Sequence, residues 1–170
     1  MRPYQFCFEL HKWLGIALSV VLINVSVTGV LLLVKKQHAW IQPPTRTGHE
    51  GAPAEFVSMQ VVLEAVRDCN HPDFRGVESI DRVDFRPDKR VYKVTSKTNY
   101  AEIQVDAITA DVLSASVRRS DWLEQLHDGS LLGAWMHGAV MPAVAVGNVV
   151  LTLSGLYLWL GRKVRRRKGE

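Results

Sequence analysis

Charge is missing from two long stretches of this sequence. No Asp, Glu, Lys or Arg occurs in the 22 residues from Trp13 to Val34, or in the 23 residues from Gly138 to Leu160. At about 1.5 Å of rise per residue, a helix over either stretch is roughly 33 Å long, enough to cross a hydrocarbon core of about 30 Å. The core helix of a soluble domain seldom stays uncharged for six turns, so both stretches are expected to span a membrane. A cleaved leader has an apolar run of only about 7–15 residues and ends in a small-x-small site. Here the first run is longer and exits through Val34-Lys35-Lys36-Gln37-His38, so an uncleaved anchor is expected.

Cysteine is scarce as well. Cys7 precedes the first span and Cys69 lies between the two, which puts them on opposite sides of the membrane and excludes a pairing within one chain. No disulfide framework therefore holds the domain between the spans. Also missing are G-x-S-x-G, H-E-x-x-H, C-x-x-C and a phosphate-cradling glycine loop, so the sequence offers no hydrolase or nucleotide chemistry and no catalytic constellation. Ion or proton relays use ionisable groups at membrane depth, and neither span has one.

The charge that is present is unevenly placed. The chain is basic overall, at net +4, which invites a nucleic-acid partner. Residues 35–136, however, carry net −2, while the two ends carry net +6, concentrated in Arg162–Lys168. This is the positive-inside pattern, so both termini are expected in the cytoplasm and residues 35–136 outside, with no nucleic acid involved. The basic tail then lies where anionic lipid headgroups attract it. Trp13 and Trp159 at the inner ends of the spans, with Trp40 and Trp135 near the outer ends, form an aromatic belt consistent with that topology.

These signals divide the chain into a cytoplasmic lead (1–12), a first span (13–34), an extracytoplasmic linker (35–55), a folded domain (56–120), a juxtamembrane helix (121–137), a second span (138–160) and a basic cytoplasmic tail (161–170). The linker holds Pro43, Pro44 and Pro53 with Gly48 and Gly51, which excludes helix and sheet interior. Within the domain, Ser58 is placed to cap an amphipathic helix whose stripe is Val61, Val62, Ala65 and Val66. The period then changes to two. Val83 and Phe85, then Val91, Tyr92 and Val94, then Ala101, Ile103 and Val105, and finally Val112-Leu113 mark four strands separated by turns. That spacing predicts an antiparallel meander with one wet face and one face covered by the helix. Asp121-Trp-Leu-Glu124 has the capping-box pattern, with Asp121 as N-cap. Pro142 frees the carbonyl of Gly138 and is expected to kink the outer turn of the second span.

The domain's last hairpin, Ile103-Gln-Val-Asp-Ala-Ile-Thr-Ala-Asp-Val-Leu113, resembles the end of the PepSY domain, with Ala110 where that turn usually has glycine. The flanks resemble the PepSY-associated transmembrane family. The residues that carry this likeness are Leu10-His-Lys-Trp-Leu-Gly15 and Val27-Thr-Gly29 near and in the first span. Leu126-His-Asp-Gly129 and Ser154-Gly-Leu-Tyr-Leu-Trp159 carry it at the second. The fold expected is thus an α+β membrane protein, two transmembrane helices flanking a small extracytoplasmic PepSY-like domain of helix plus antiparallel β-meander. The resemblance implies a bacterial inner-membrane protein with a periplasmic domain, associated with iron, siderophore or haem handling. Larger relatives bind haem and reduce ferric siderophores. With only two spans, this chain is expected to act as an accessory or as a component of a membrane reductase, alone or in a homodimer or larger complex.

A b-type haem needs axial ligands near membrane depth, and neutral imidazole serves well. His11 at the inner surface and His127 and His137 at the outer surface are the candidates, because the family likeness sits on them. His38 is better read as an interfacial residue, and His71 as part of a helix-ending loop. His11 and an outer histidine are separated by roughly the membrane thickness and cannot share one iron. A bis-histidine site therefore takes either two outer histidines or one histidine from each of two protomers. The polar and small residues within the spans, Asn24, Thr28, Gly29, Asn148, Ser154 and Gly155, are expected to pack the helices together. The alternative function is a non-enzymatic, membrane-anchored binding or regulatory module that contacts a peptide, a peptidase or an envelope protein through its sheet edges.

Overall fold

The computed structural model describes residues 3–167; residues 1–2 and 168–170, including Arg2 and the end of the basic tail, lie outside the described residues. Two compact units emerge. Among the described residues, one combines the first and last parts of the chain, residues 3–30 and 123–167; the other is the intervening segment, 31–122.

The first unit is helical. Helix α1, Pro3–Leu33, runs unbroken through the N-terminal lead and the first apolar stretch. Helix α4, Met141–Arg167, carries the second. Both are long and apolar enough to cross a membrane, and very little of either is covered by protein. Ile16, Val20, Ile23 and Val30 on α1, and Val146, Leu153, Leu156 and Leu160 on α4, are exposed. A surface of that size and composition is stable only against lipid. The two helices approach where glycines remove side chains. A Cβ on Gly15 would touch the Leu151 side chain, and one on Gly147 would collide with that of Leu18. Ahead of α4 the backbone widens into a π-turn at Met136–Val140, with Met141 between it and Pro142. Proline has no N–H to donate and crowds the carbonyl four residues back, which the wider turn relieves without breaking the rod.

The second unit is a four-stranded antiparallel meander of order β1-β2-β3-β4. Its strands are β1 (Ile80–Arg86), β2 (Val91–Ser96), β3 (Ala101–Asp106) and β4 (Val112–Val117). Helix α2, Met59–Asp68, starts where Ser58 Oγ accepts the Val61 N–H, as its N-cap position predicts. Val62 and Val66 on α2 pack with Phe74, Tyr92, Val94, Ala101, Ile103, Val105 and Ala107 as the core.

The sheet does not have the expected wet face. Every residue of β2 and β3 is buried, Lys93, Glu102, Gln104 and Asp106 among them. The proline-rich linker is the cover. Arg46 N donates to Gln104 Oε1 at 2.7 Å, Gln104 Nε2 donates to the Pro44 carbonyl at 3.1 Å, and His49 N donates to Asp106 Oδ2 at 2.8 Å. Two prolines keep this segment extended and remove its own N–H groups, so it can lie flat on side-chain acceptors. Beneath it, Glu102 meets Lys93 Nζ at 3.5 Å and Arg118 Nη1 at 3.0 Å; Arg118 reaches Asp121 at 2.7 Å, and Asp121 reaches Arg82 at 2.8 Å. Burial is the main influence on Lys93 and pulls its pKa down, with Glu102 opposing.

Helix α3, Arg119–Asp128, begins three residues before the capping-box reading allows. Asp121 is therefore in its first turn, and its carboxylate is spent on Arg82 and Arg118 instead of on the helix end. The linker likewise has two short 3-10 turns, Lys35–Gln37 and Pro53–Glu55, the second where prolines had argued against any helix; a single turn tolerates proline at its start.

Candidate functional site

The three candidate histidines are all in the helical unit, and two of them are held in the same way. His11, on α1, turns toward α4. Its Nδ1 lies 3.1 Å from the Leu151 carbonyl and 2.9 Å from Ser154 Oγ. A carbonyl only accepts, so Nδ1 carries the proton. The Ser154 hydroxyl donates back to the same carbonyl at 2.9 Å, which leaves its lone pairs for the imidazole. The ring rests on Gly155, where a Cβ would come within 3.1 Å of His11 Cε1.

His127, near the end of α3, repeats this arrangement against α1. Its Nδ1 lies 2.9 Å from Thr28 Oγ1, and that hydroxyl donates to the Asn24 carbonyl at 2.7 Å. Thr28 therefore accepts, and Nδ1 of His127 is again the protonated nitrogen. Here the ring rests on Gly29, with 3.4 Å between Cε1 and the position of an added Cβ. Asn24 Nδ2 donates to the Leu126 carbonyl at 3.0 Å and fixes the end of α3 beside the socket. Thr28 is buried, and so is Ser154.

Each socket is thus a hydroxyl residue followed by glycine on one helix, receiving a histidine that follows leucine on another. Thr28-Gly29 receives Leu126-His127, and Ser154-Gly155 receives Leu10-His11. The hydroxyl fixes the tautomer, and the glycine admits the ring. In the neutral imidazole this leaves the lone pair on Nε2, for which no hydrogen-bond partner exists among the described residues. A histidine oriented through one nitrogen and open at the other is what an outer-shell partner does for a metal-ligating imidazole.

The model of the PepSY-associated TM region matches residues 8–170, nearly the whole chain and both sockets. The chain belongs to this family. No curated protein matches the chain in sequence. Family membership and the two exposed apolar helices make it a membrane protein in contact with the lipid bilayer.

The remaining expected residues are placed differently. His137 lies in the π-turn, more than half exposed, with Nδ1 donating to the Asp128 carbonyl at 3.0 Å. Partial burial works against ionisation of Asp128, but hydrogen bonds from Ser130 and the nearby imidazoles of His137 and His127 hold its pKa below the usual carboxylate value. His38 is exposed, just past a 3-10 turn. His71 is in the loop that ends α2: its Nδ1 accepts from Asp73 N at 3.3 Å, and its ring lies edge-on to Phe74. Asn24, Thr28, Gly29, Ser154 and Gly155 all lie at contacts between helices, whereas Asn148 is exposed on α4. Sequence reasoning named Thr28 and Ser154 as packing residues and did not see them as histidine anchors. The signal was available in the two Leu-His dipeptides and the two hydroxyl-Gly dipeptides within the apolar stretches, but nothing in the sequence says which pairs with which.

A haem iron asks for an imidazole with a free Nε2, and His11 and His127 both meet that requirement. Neither socket has a second imidazole from the other. Their anchor points on α1, His11 itself and Thr28, are 17 residues apart, or about 25 Å along the helix. No group of three or more His, Cys, Asp or Glu that would hold a bare metal ion exists among the described residues.

Proposed function

We propose that this protein is an inner-membrane subunit for iron or haem handling in a bacterial envelope, with b-type haem ligated through Nε2 of His11 at one level and of His127 at the other. The observation that carries the reading is the shared geometry of the two sockets, each with Nδ1–H tied to a hydroxyl and Nε2 open. Bound haem would supply one-electron carriage between the two faces of the membrane. The chain's own residues set the tautomer and orient the rings. Because each level has one such histidine per chain, a second holding residue would come from a second copy related by two-fold symmetry, or at the His127 level from His137. The charge division supports an orientation with both termini in the cytoplasm and residues 35–136, including the PepSY-like sheet unit, in the periplasm.

The test is a reduced-minus-oxidised spectrum of protein purified from haem-replete membranes. A low-spin b-type spectrum that loses intensity in His11→Ala and in His127→Ala supports the reading. A protein with no Soret band refutes it, and the sockets are then packing devices only.

A second reading rests on the sheet. A membrane-anchored binding module would recognise a protein through an open strand edge, with the histidines confined to helix packing. Loss of a captured partner on altering the sheet edge, with His11 and His127 variants unaffected, would favour it.

A further inference from the structure

The two edges of the sheet are built in opposite ways. Edge strand β1 reads Ile80-Asp-Arg-Val-Asp-Phe-Arg86, charged at four of seven positions. Charges on an edge are the usual defence against pairing with another chain. Edge strand β4 reads Val112-Leu-Ser-Ala-Ser-Val117, with no charge and no proline, and Val112, Ala115 and Val117 are exposed. Its one irregularity is the register shift near its start, opposite Gln104 and Val105; from Ser114 to Val117 the ladder is regular. A groove of about 270 Å³ runs along this stretch, walled on its far side by Pro43 and Pro44 of the linker.

We propose that β4 pairs antiparallel with β4 of a second copy, joining two sheets into one of eight strands across a two-fold axis at Ala115. Three independent features select this occupant and this register. Ser114 Oγ and Ser116 Oγ are buried without a hydrogen-bond partner. A pairing centred on Ala115 sets Ser114 against Ser116 of the other copy, twice; each hydroxyl is covered within its own chain, and a χ1 turn brings it toward its opposite number across the strands. The ladder agrees. Arg118 N donates to the Tyr100 carbonyl, so with regular alternation Ser116 and Ser114 also face β3, and the N–H and C=O of Ala115 and Val117 point outward. The Ala115 pair then exchanges both backbone bonds, and the serine pairs become the closer, non-bonded pairs of the ladder. Finally, the same register brings Arg119 at the end of one strand alongside Asp111 at the start of the other, opposite charges at both ends of an uncharged seam. This dimer stands on the sheet alone and does not require either histidine socket to hold haem.

The test is disulfide trapping in membranes with the full chain and both native cysteines replaced, Cys7→Ser and Cys69→Ser. In the proposed pair the Ala115 Cα atoms are about 5.5 Å apart, within disulfide range. Ala115→Cys should trap a species of twice the chain mass under mild oxidation, while Asp84→Cys on the opposite edge should not. Ser114→Cys mixed with Ser116→Cys should trap more dimer than either alone. Ala115→Lys, at an exposed position, should abolish the dimer while leaving the sheet's circular dichroism unchanged. Failure of Ala115→Cys to trap, equal trapping by Asp84→Cys, a trapped partner of another mass, or a dimer that survives Ala115→Lys would each overturn the proposal.

Discussion

Nδ1 of His127 lies 2.9 Å from the hydroxyl of Thr28, which itself donates to the Asn24 carbonyl. The hydroxyl can therefore only accept from the ring, and the ring can only present Nε2 to its surroundings. Thr28→Val keeps the shape and removes that acceptor. Nitrogen NMR of histidine-labelled protein should show His127 moving from the Nδ1–H tautomer to a mixture, with a stability loss of about 1 kcal/mol. Thr28→Ser should restore the single tautomer. An unchanged tautomer in Thr28→Val would mean that the hydroxyl does not set it.

The two glycine seats are not equally tight. A methyl at Gly29 would sit 3.4 Å from His127 Cε1, an ordinary contact, whereas one at Gly155 would sit 3.1 Å from His11 Cε1. Alanine is favoured over glycine in a helix by up to about 1 kcal/mol. Gly29→Ala should therefore be neutral or stabilising. Gly155→Ala should lose that gain by displacing the His11 ring a few tenths of an ångström. Paired thermal melts in one detergent would show the difference, with Gly155→Ala the lower of the two.

Much of this architecture was legible from residue order. Uncharged runs announced α1 and α4, and alternation placed all four strands, because lipid and a covered sheet face each impose a strict pattern on their own residues. The second face of the sheet was not legible. Lys93, Glu102 and Gln104 alternate with apolar neighbours as solvent-facing residues do, and only the linker lying over them makes them buried. Asp121 misled for a similar reason: as a first-turn acid it fits a cap, yet Arg82 and Arg118, distant in sequence, take its carboxylate. The sockets fall between these cases. Their residues were all named from sequence, but the pairing of His11 with Ser154 and of His127 with Thr28 depends on which helices touch.

The buried charge network makes a strong demand on Glu102. Its carboxylate is the shared partner of Lys93 and Arg118, and its side chain is fully buried. Removing one member of a buried pair leaves uncompensated charge at a cost of about 3–5 kcal/mol. Glu102→Leu should unfold the sheet unit or lower its midpoint steeply. Adding Lys93→Met in the same chain should recover part of the loss, a coupling that a double-mutant cycle measures.

Asp106 predicts an acid limit to stability. Burial alone would raise its pKa, but hydrogen bonds from the N–H groups of Ile108, His49 and Thr109 and from the His49 ring outweigh that and bring it down to about 2. Because the folded value lies below the ordinary 3.8, the stabilisation is complete above that pH and is lost as pH falls toward 2. It amounts to about 2 kcal/mol. Asp106→Asn puts an amide where the carboxylate faces donors on both sides, and should cost at least that much near neutrality. The gap between the two proteins, measured by denaturant unfolding, should close as pH approaches 2.

Ala110 closes the turn between β3 and β4 with φ of 63°, in the left-handed region, while its N–H donates to the Asp106 carbonyl at 3.1 Å. A Cβ in that region crowds the following carbonyl and costs about 1–2 kcal/mol, a penalty glycine does not pay. Glycine loses more chain entropy on folding, which returns part of the difference. Ala110→Gly should therefore stabilise the sheet unit by about 1 kcal/mol, and Ala110→Val should destabilise it by more, since branching at Cβ is least tolerated there. Equal melting midpoints for wild type and Ala110→Gly would show that the turn relaxes away from this geometry in solution. A higher midpoint in Ala110→Gly with unchanged dimer trapping at Ala115 would show that the strain is local to the turn. The β4 edge would then keep its register without it.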